Sequence, residues 1–264
     1  MKANKTKISI VILSLFLAAV FFYLKGRNTD TATILPRTEP IGHSKAKPLD
    51  ETKWYRVAYQ EANDSLKTLI QNSPIRAEAN PANKTAYQSI LAKALSTDNF
   101  VIAGFAQEKI AELNRTDTTY MIAADLFILE TEKGEDPEKS KFALAKAKQL
   151  YLKATEMNPN NILANNKLAV SIIQLNEDPP MVGIGYIKKS LSIDSNDLST
   201  NLLYGQLLLM SGQNEKAIKV YNKLVNLQPS NAEFLFKLSD IYGQLGNTEK
   251  AKEFLDKAKN LNQP

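Results

Sequence analysis

The sequence predicts an all-α fold, a helical solenoid of about five helix pairs placed after an N-terminal transmembrane helix. Three observations lead there. An uncharged apolar run opens the chain. From Glu51 onward every proline and most glycines fall between apolar-periodic segments, and no stretch alternates with period two for long enough to build a sheet. The chain also repeats itself at an offset of 34 residues, which aligns Gly212, Ala217, Tyr221, Leu224 and Leu227 with Gly246, Ala251, Leu255, Ala258 and Leu261.

Residues 1–25 read as a signal anchor. The run Ile8–Leu24 is seventeen residues without a charge, preceded by Lys2, Lys5 and Lys7 and followed by Lys25 and Arg27. At about 1.5 Å per residue it reaches roughly 26 Å, and snorkelling lysines supply the rest of a hydrocarbon core of about 30 Å. A cleaved signal peptide would need small residues just after the run. Tyr23, Leu24, Lys25, Gly26 and Arg27 stand there instead, and Ala18 and Ala19 lie inside it. Three lysines in the first seven residues resemble an export n-region, so a single pass is expected, with the N-terminus in the cytoplasm and the C-terminal body outside it.

Residues 26–50 carry Pro36, Pro40 and Pro48 without periodicity and read as a flexible linker. Beyond it the expected helices run from Thr52 to Gln71, Asn83 to Leu95, Asn99 to Leu113, Thr118 to Glu132, Glu138 to Met157 and Asn161 to Leu175. Later ones run from Pro180 to Ser192, Leu198 to Ser211, Asn214 to Leu227, Ala232 to Leu245 and Thr248 to Leu261. Residues 51–136 form a divergent helical region, with an enlarged acidic turn from Glu132 to Asp136, and residues 137–264 form the repeat domain.

Composition removes much chemistry. With no cysteine and only His43, thiol and Ser-His nucleophiles, disulfides and thiolate zinc sites are excluded. The whole chain carries a net +5, and residues 1–47 alone carry +6, eight basic against two acidic side chains around the apolar run, which leaves the rest near neutral, so nucleic acid is not an expected partner. Gly183-Ile184-Gly185 lies in an expected helix and reads as close helix packing rather than a phosphate loop. Glu108 with Glu112, and the cluster Glu130, Glu132, Glu135 and Asp136, read as solvated faces and turns rather than acid-base pairs. No catalytic residue, metal site or cofactor is expected.

The segments SGQNEKAIKVYNKLVNLQP and LGNTEKAKEFLDKAKNLNQ are one unit repeated. Its Leu-Gly turn, Tyr, A-x3-F-like spacing and closing proline resemble the tetratricopeptide repeat (TPR) family. The last copy supplies Leu235, Leu238, Ser239, Tyr242, Gly246, Ala251, Leu255 and Ala258; the one before supplies Tyr204, Gly205, Leu208, Gly212, Ala217, Tyr221, Leu224 and Pro229. An earlier copy carries Leu168, Ala169, Ile172, Gly183, Ile187 and Ser190, lengthened by two residues around Asp178, Pro179 and Pro180. Small residues such as Gly205, Ala217, Ser239 and Ala251 let two helices approach, while Tyr221, Tyr242 and Leu255 fill the space between pairs.

The resemblance implies a right-handed solenoid whose first helices line a concave groove, with Asn166, Val170, Ile173, Leu202, Gln206, Leu209, Phe236 and Asp240 along it. A protein or peptide ligand is the expected occupant, although the same residues also suit a core where pairs stack. The places where some TPR grooves clamp a carboxylate read Asn166, Val170, Leu203, Glu233 and Lys237, which does not make a clamp. The chain is similar to TPR proteins of the bacterial envelope, which implies an anchor in the cytoplasmic (inner) membrane, single-pass, with the C-terminal body in the periplasm. The expected function is a membrane-anchored scaffold or adaptor in a bacterial envelope complex. The alternative is a periplasmic chaperone resembling TPR proteins that deliver apocytochromes or accompany the secretion channel. An enzyme built on residues 51–135 is a third class. Self-association through the C-terminal repeat is a further expectation, since the outer face of the last pair carries apolar residues.

Overall fold

The structure, a computed structural model, describes residues 49–73 and 75–261. The anchor run Ile8–Leu24, His43 and all but the last two residues of the linker lie outside the described residues. Among the described residues there are twelve α-helices, one 3₁₀ turn at Pro81–Asn83 and no strand. The helices are α1 Glu51–Glu61, α2 Asp64–Gln71, α3 Lys84–Leu95, α4 Phe100–Asn114, α5 Asp117–Lys133 and α6 Pro137–Met157. Then follow α7 Ile162–Leu175, α8 Pro180–Ile193, α9 Leu198–Met210, α10 Asn214–Leu227, α11 Ala232–Gln244 and α12 Thr248–Leu261. No described helix is long and apolar enough to cross a membrane. The described residues fall into two compact units, 49–195 and 196–261.

In the unit 196–261 the repeat spacing does what its steric logic requires. A Cβ on Gly205 of α9 would lie 3.1 Å from the Tyr221 ring of α10, so the glycine admits the tyrosine. Ser239 Oγ of α11 donates to the Ala251 carbonyl of α12 at 2.7 Å, and Tyr242 stacks on Phe254 at 5.5 Å between ring centroids. Gly212 and Gly246 close the two turns at φ 71° and 75°, a left-handed conformation that costs glycine nothing. Leu208, Ala217, Tyr221, Leu224, Phe234, Leu238 and Ile241 make one buried cluster.

In the unit 49–195 the pairs α3/α4, α5/α6 and α7/α8 pack in succession. The tightest approach is at Gly104 of α4, where a Cβ would meet the buried Phe127 ring of α5 at 2.6 Å. Gly183 of α8 is a helix-packing position, as the sequence implies, since its Cβ would strike the Ile173 side chain at 2.7 Å.

Two expectations about this unit are corrected. The helix expected from Thr52 to Gln71 is two helices, because Ala62 is extended (φ −66°, ψ 145°) and the Asn63 side chain accepts the Leu66 N–H at 2.9 Å, capping a new start. The break lets α1 lie against α4 and α6, where Trp54 stacks on Phe142 at 5.9 Å. The acidic turn from Glu132 to Asp136 is not enlarged. Gly134 turns the chain at φ 65°, Asp136 caps α6 by accepting the Glu138 and Lys139 N–H groups, and the extra length is absorbed by α6, which runs for 21 residues.

The two-residue lengthening around Asp178 also has a physical use. It returns the Asp178 carboxylate, fully buried, to Lys148 Nζ of α6 at 2.5 Å. Removing one partner of a buried pair leaves an uncompensated charge, at a cost of about 3–5 kcal/mol. Asp178→Ala is expected to lose stability of that order in urea unfolding, and adding Lys148→Met to recover most of it. A single substitution within about 0.5 kcal/mol of the parent would mean that the pair does not hold the turn.

Candidate functional site

The residues singled out from the sequence occupy both units. On α7, Asn166 is buried, Val170 is half-buried, and Ile173 spends its side chain against Gly183. In the unit 196–261, Leu202 and Leu209 are half-buried against the cluster around Tyr221 and Leu238. Phe236 packs on Ala232, Leu235 and Ala258, Gln206 is half-buried, and Asp240 is exposed. Four of the apolar members of the set, Ile173, Leu202, Leu209 and Phe236, therefore contribute to packing within their units.

A different apolar face is open to solvent in the unit 49–195. Ile122 is 45% exposed on α5 and Leu163 is 53% exposed on α7, with Leu129 exposed one heptad beyond Ile122. Two polar pins join these helices. At one end Asn158 and Asn161 each donate through Nδ2 to Asp117 Oδ2 at 2.9 Å; further along, Lys167 Nζ pairs with Asp125 Oδ1 at 2.5 Å. Ile122 lies between the two pins on α5, and Leu163 lies between them on α7.

The pins are electrostatically fixed. Side-chain hydrogen bonds from Asn161 and then Asn158 hold the Asp117 carboxyl below its ordinary pKa. Tyr151 donates its O–H to Asp125, and burial, reinforced by that carboxylate, raises the phenol well above the usual range. The arrangement offers apolar knobs framed by an ion pair, which suits a peptide or helix with apolar anchors.

Sequence reasoning missed this face because the repeat signal fades before Asp136. A signal was present. On α5 the buried set Tyr120, Met121, Ala123, Ala124, Leu126 and Phe127 already fills the inward stripe, so Ile122 and Leu129 are surplus apolar residues on a helix that needs no more.

The carboxylates Glu108 and Glu130, expected to be solvated, are buried. Glu108 pairs with Lys146 of α6 at 2.8 Å and Glu130 with Lys139 at 2.9 Å. Burial pulls the Lys146 pKa down, but Glu108 and Glu51 outweigh it and leave the ammonium above its ordinary range. Lys139 is raised in the same way by Glu61 and Glu130 against desolvation. Both lysines are thus committed as structural cations. A cleft of about 550 Å³ lies between Glu78, Ala79, Glu112, Arg115, Tyr120 and Met157. Among the described residues no group of three His, Cys, Asp or Glu side chains could hold a metal ion.

Comparison with known proteins agrees with the helical repeat fold. Residues 205–246 match the family model described as TPR repeat, and residues 232–264 match that described as tetratricopeptide repeat. Over 120 residues the chain is 32% identical to BBSome complex member BBS4 of Bos taurus, covering 44% of this chain and 22% of that protein. Over 249 residues it is 24% identical to cellulose synthase operon protein C of Pseudomonas fluorescens (strain SBW25), covering 89% of this chain and 18% of that protein. The chain thus spans about a fifth of the length of these curated relatives. Among solved structures it resembles YrrB, described as a TPR protein with an unusual peptide-binding site, at TM-score 0.50 and 19% identity, covering 76% of this chain and 94% of that one. It also resembles MamA at TM-score 0.54 and 16% identity, covering 68% of this chain and 91% of that one.

The exposures separate surface from packing. Ile122→Asp and Leu163→Asp are expected to change unfolding free energy by no more than about 0.5 kcal/mol. Leu202→Asp and Phe236→Asp should each lose more than about 1 kcal/mol, because a carboxylate is forced against apolar neighbours. Equal losses in all four urea titrations would refute the distinction.

Proposed function

We propose that this tetratricopeptide-repeat chain is a membrane-anchored scaffold that holds another protein through the face of α5 and α7. The carrying observation is the exposure of Ile122 and Leu163 between the Asp117 and Asp125 pins. Large apolar side chains held out on two helices joined by polar pins are a poor surface for water and a good one for an apolar anchor. The repeat fold itself suits protein–protein interaction, and relatives support that use: one is described as having a peptide-binding site, and another is named as a member of a complex.

Anchoring rests on the run Ile8–Leu24 with its flanking lysines, and a periplasmic body in an envelope complex is proposed from the likeness of the basic N-terminus to an export n-region and of the repeats to envelope TPR proteins. Removing residues 1–27 is expected to release the chain from the membrane fraction. Continued sedimentation with membranes would overturn the anchor.

Photo-crosslinking from positions 122 and 163 of the full chain in intact cells tests the binding face, with the exposed Lys188 on α8 as a control position. One dominant adduct, absent at 188, supports the scaffold. A spread of incompletely folded proteins would transfer the face to a chaperone, and adducts equal to those at 188 would remove it.

A further inference from the structure

The first helix is held differently from the rest of the unit 49–195. Helix α1 ends at the extended Ala62, and Asn63 caps α2 on its own, so neither helix depends on the other for its ends. Its strongest contacts reach far along the chain. Glu51 pairs with Lys146 at 2.6 Å, Glu61 with Lys139 at 2.6 Å, Trp54 stacks on Phe142, Tyr55 meets Phe105 edge-on at 5.7 Å, and Asn99 Nδ2 donates to the Ala58 carbonyl at 2.7 Å. Connections to the nearer segment 71–76 are exposed, from Gln71 to Tyr59 and from Arg76 to Thr52.

The two lysines beneath α1 keep carboxylate partners without it, and only the Asn99 amide exchanges its acceptor, the Ala58 carbonyl, for water. Lys146 keeps Glu108 at 2.8 Å, and Lys139 keeps Glu130 at 2.9 Å, both carboxylates lying in the body. Departure of α1 therefore strands no buried ammonium, the condition that ordinarily forbids removal of one side of a buried pair. What departure uncovers is apolar and basic: the rings of Phe105 and Phe142 between two lysines one heptad turn pair apart on α6. The strap's own acids, Glu51 and Glu61, have side chains 41% and 50% exposed, so they leave the seat at little cost in lost pairing.

We propose that residues 51–61 are a detachable strap, and that their seat on α4 and α6 is a second docking surface for an amphipathic helix carrying a central aromatic between two carboxylates about 15 Å apart. In the isolated chain the tethered strap fills it at high effective concentration. A partner helix of that chemistry takes the same lysines and the same aromatic floor, displacing the strap. This surface is formed by α4 and α6, and does not rest on the face of α5 and α7.

Trp54 is the one tryptophan of the chain and sits in the strap, 7% exposed, so its emission reads docking while circular dichroism reads the helical body. The experiment adds a synthetic peptide of residues 51–61 with Trp54→Phe to the full chain in detergent micelles. The expected result is a saturable red shift of Trp54 emission, with a loss of helix signal no larger than the strap's eleven residues. Glu51→Lys with Glu61→Lys in the full chain should give the same red shift without peptide, and the peptide carrying both reversals should give none in the parent. Coincident loss of Trp54 burial and body helix in urea, with no peptide effect, would make α1 an ordinary part of one cooperative unit and overturn the proposal.

Discussion

An ammonium group taken out of water must meet a carboxylate, and α6 imposes that condition at several points along its length. Lys139 and Lys146 face α4, α5 and α1, whereas Lys148 faces the turn before α8. Each demands an acid from a particular place, so the position of α6 fixes where Glu108, Glu130 and Asp178 must stand. Apolar packing alone would allow neighbouring helices to slide by a fraction of a turn. The ion pairs remove that freedom and give the divergent part of the chain a defined register where its sequence has lost the regular repeat.

The unit 196–261 reaches register by another route. There the fit is steric, with Gly205 admitting Tyr221 and Ser239 bonding to the Ala251 carbonyl, and few charges are buried. Close backbone approach needs a small residue at a fixed place in each copy, which is why the pattern survives as a visible 34-residue offset. Charge pairing leaves no comparable trace. A lysine that is buried and one that is solvated are the same letter, and only the arrangement of partners distinguishes Lys146 from the exposed Lys141.

That difference explains what could be read in advance. The helix order, the turn glycines Gly212 and Gly246 and the packing role of Gly183 were legible, because each rests on local sterics. The break at Ala62 was missed although Asn63-Asp64-Ser65 is a cap-forming triplet, since apolar periodicity continues through it. Glu108 and Glu130 were misjudged as solvated because their partners lie 38 and 9 residues away on another helix. The candidate face was half legible. Val170 and Leu163 share α7, but Ile122 and Leu129 belong to the region where repeat phase could not be assigned, so groove positions could not be carried onto them.

The two proposed surfaces differ in what binding must overcome. On α5 and α7 the knobs are already exposed on helices pinned through Asp117 and Asp125, so a partner meets a preformed site and loses little freedom in ordering it. The seat on α4 and α6 is filled by the chain itself, so a partner gains only the difference between its own contacts and those of the strap. A preformed face suits a standing attachment. An occupied one suits a partner that arrives at high local concentration, and α1 follows directly on the linker that joins the body to its proposed anchor, so the strap lies where the membrane and the repeats meet in the sequence.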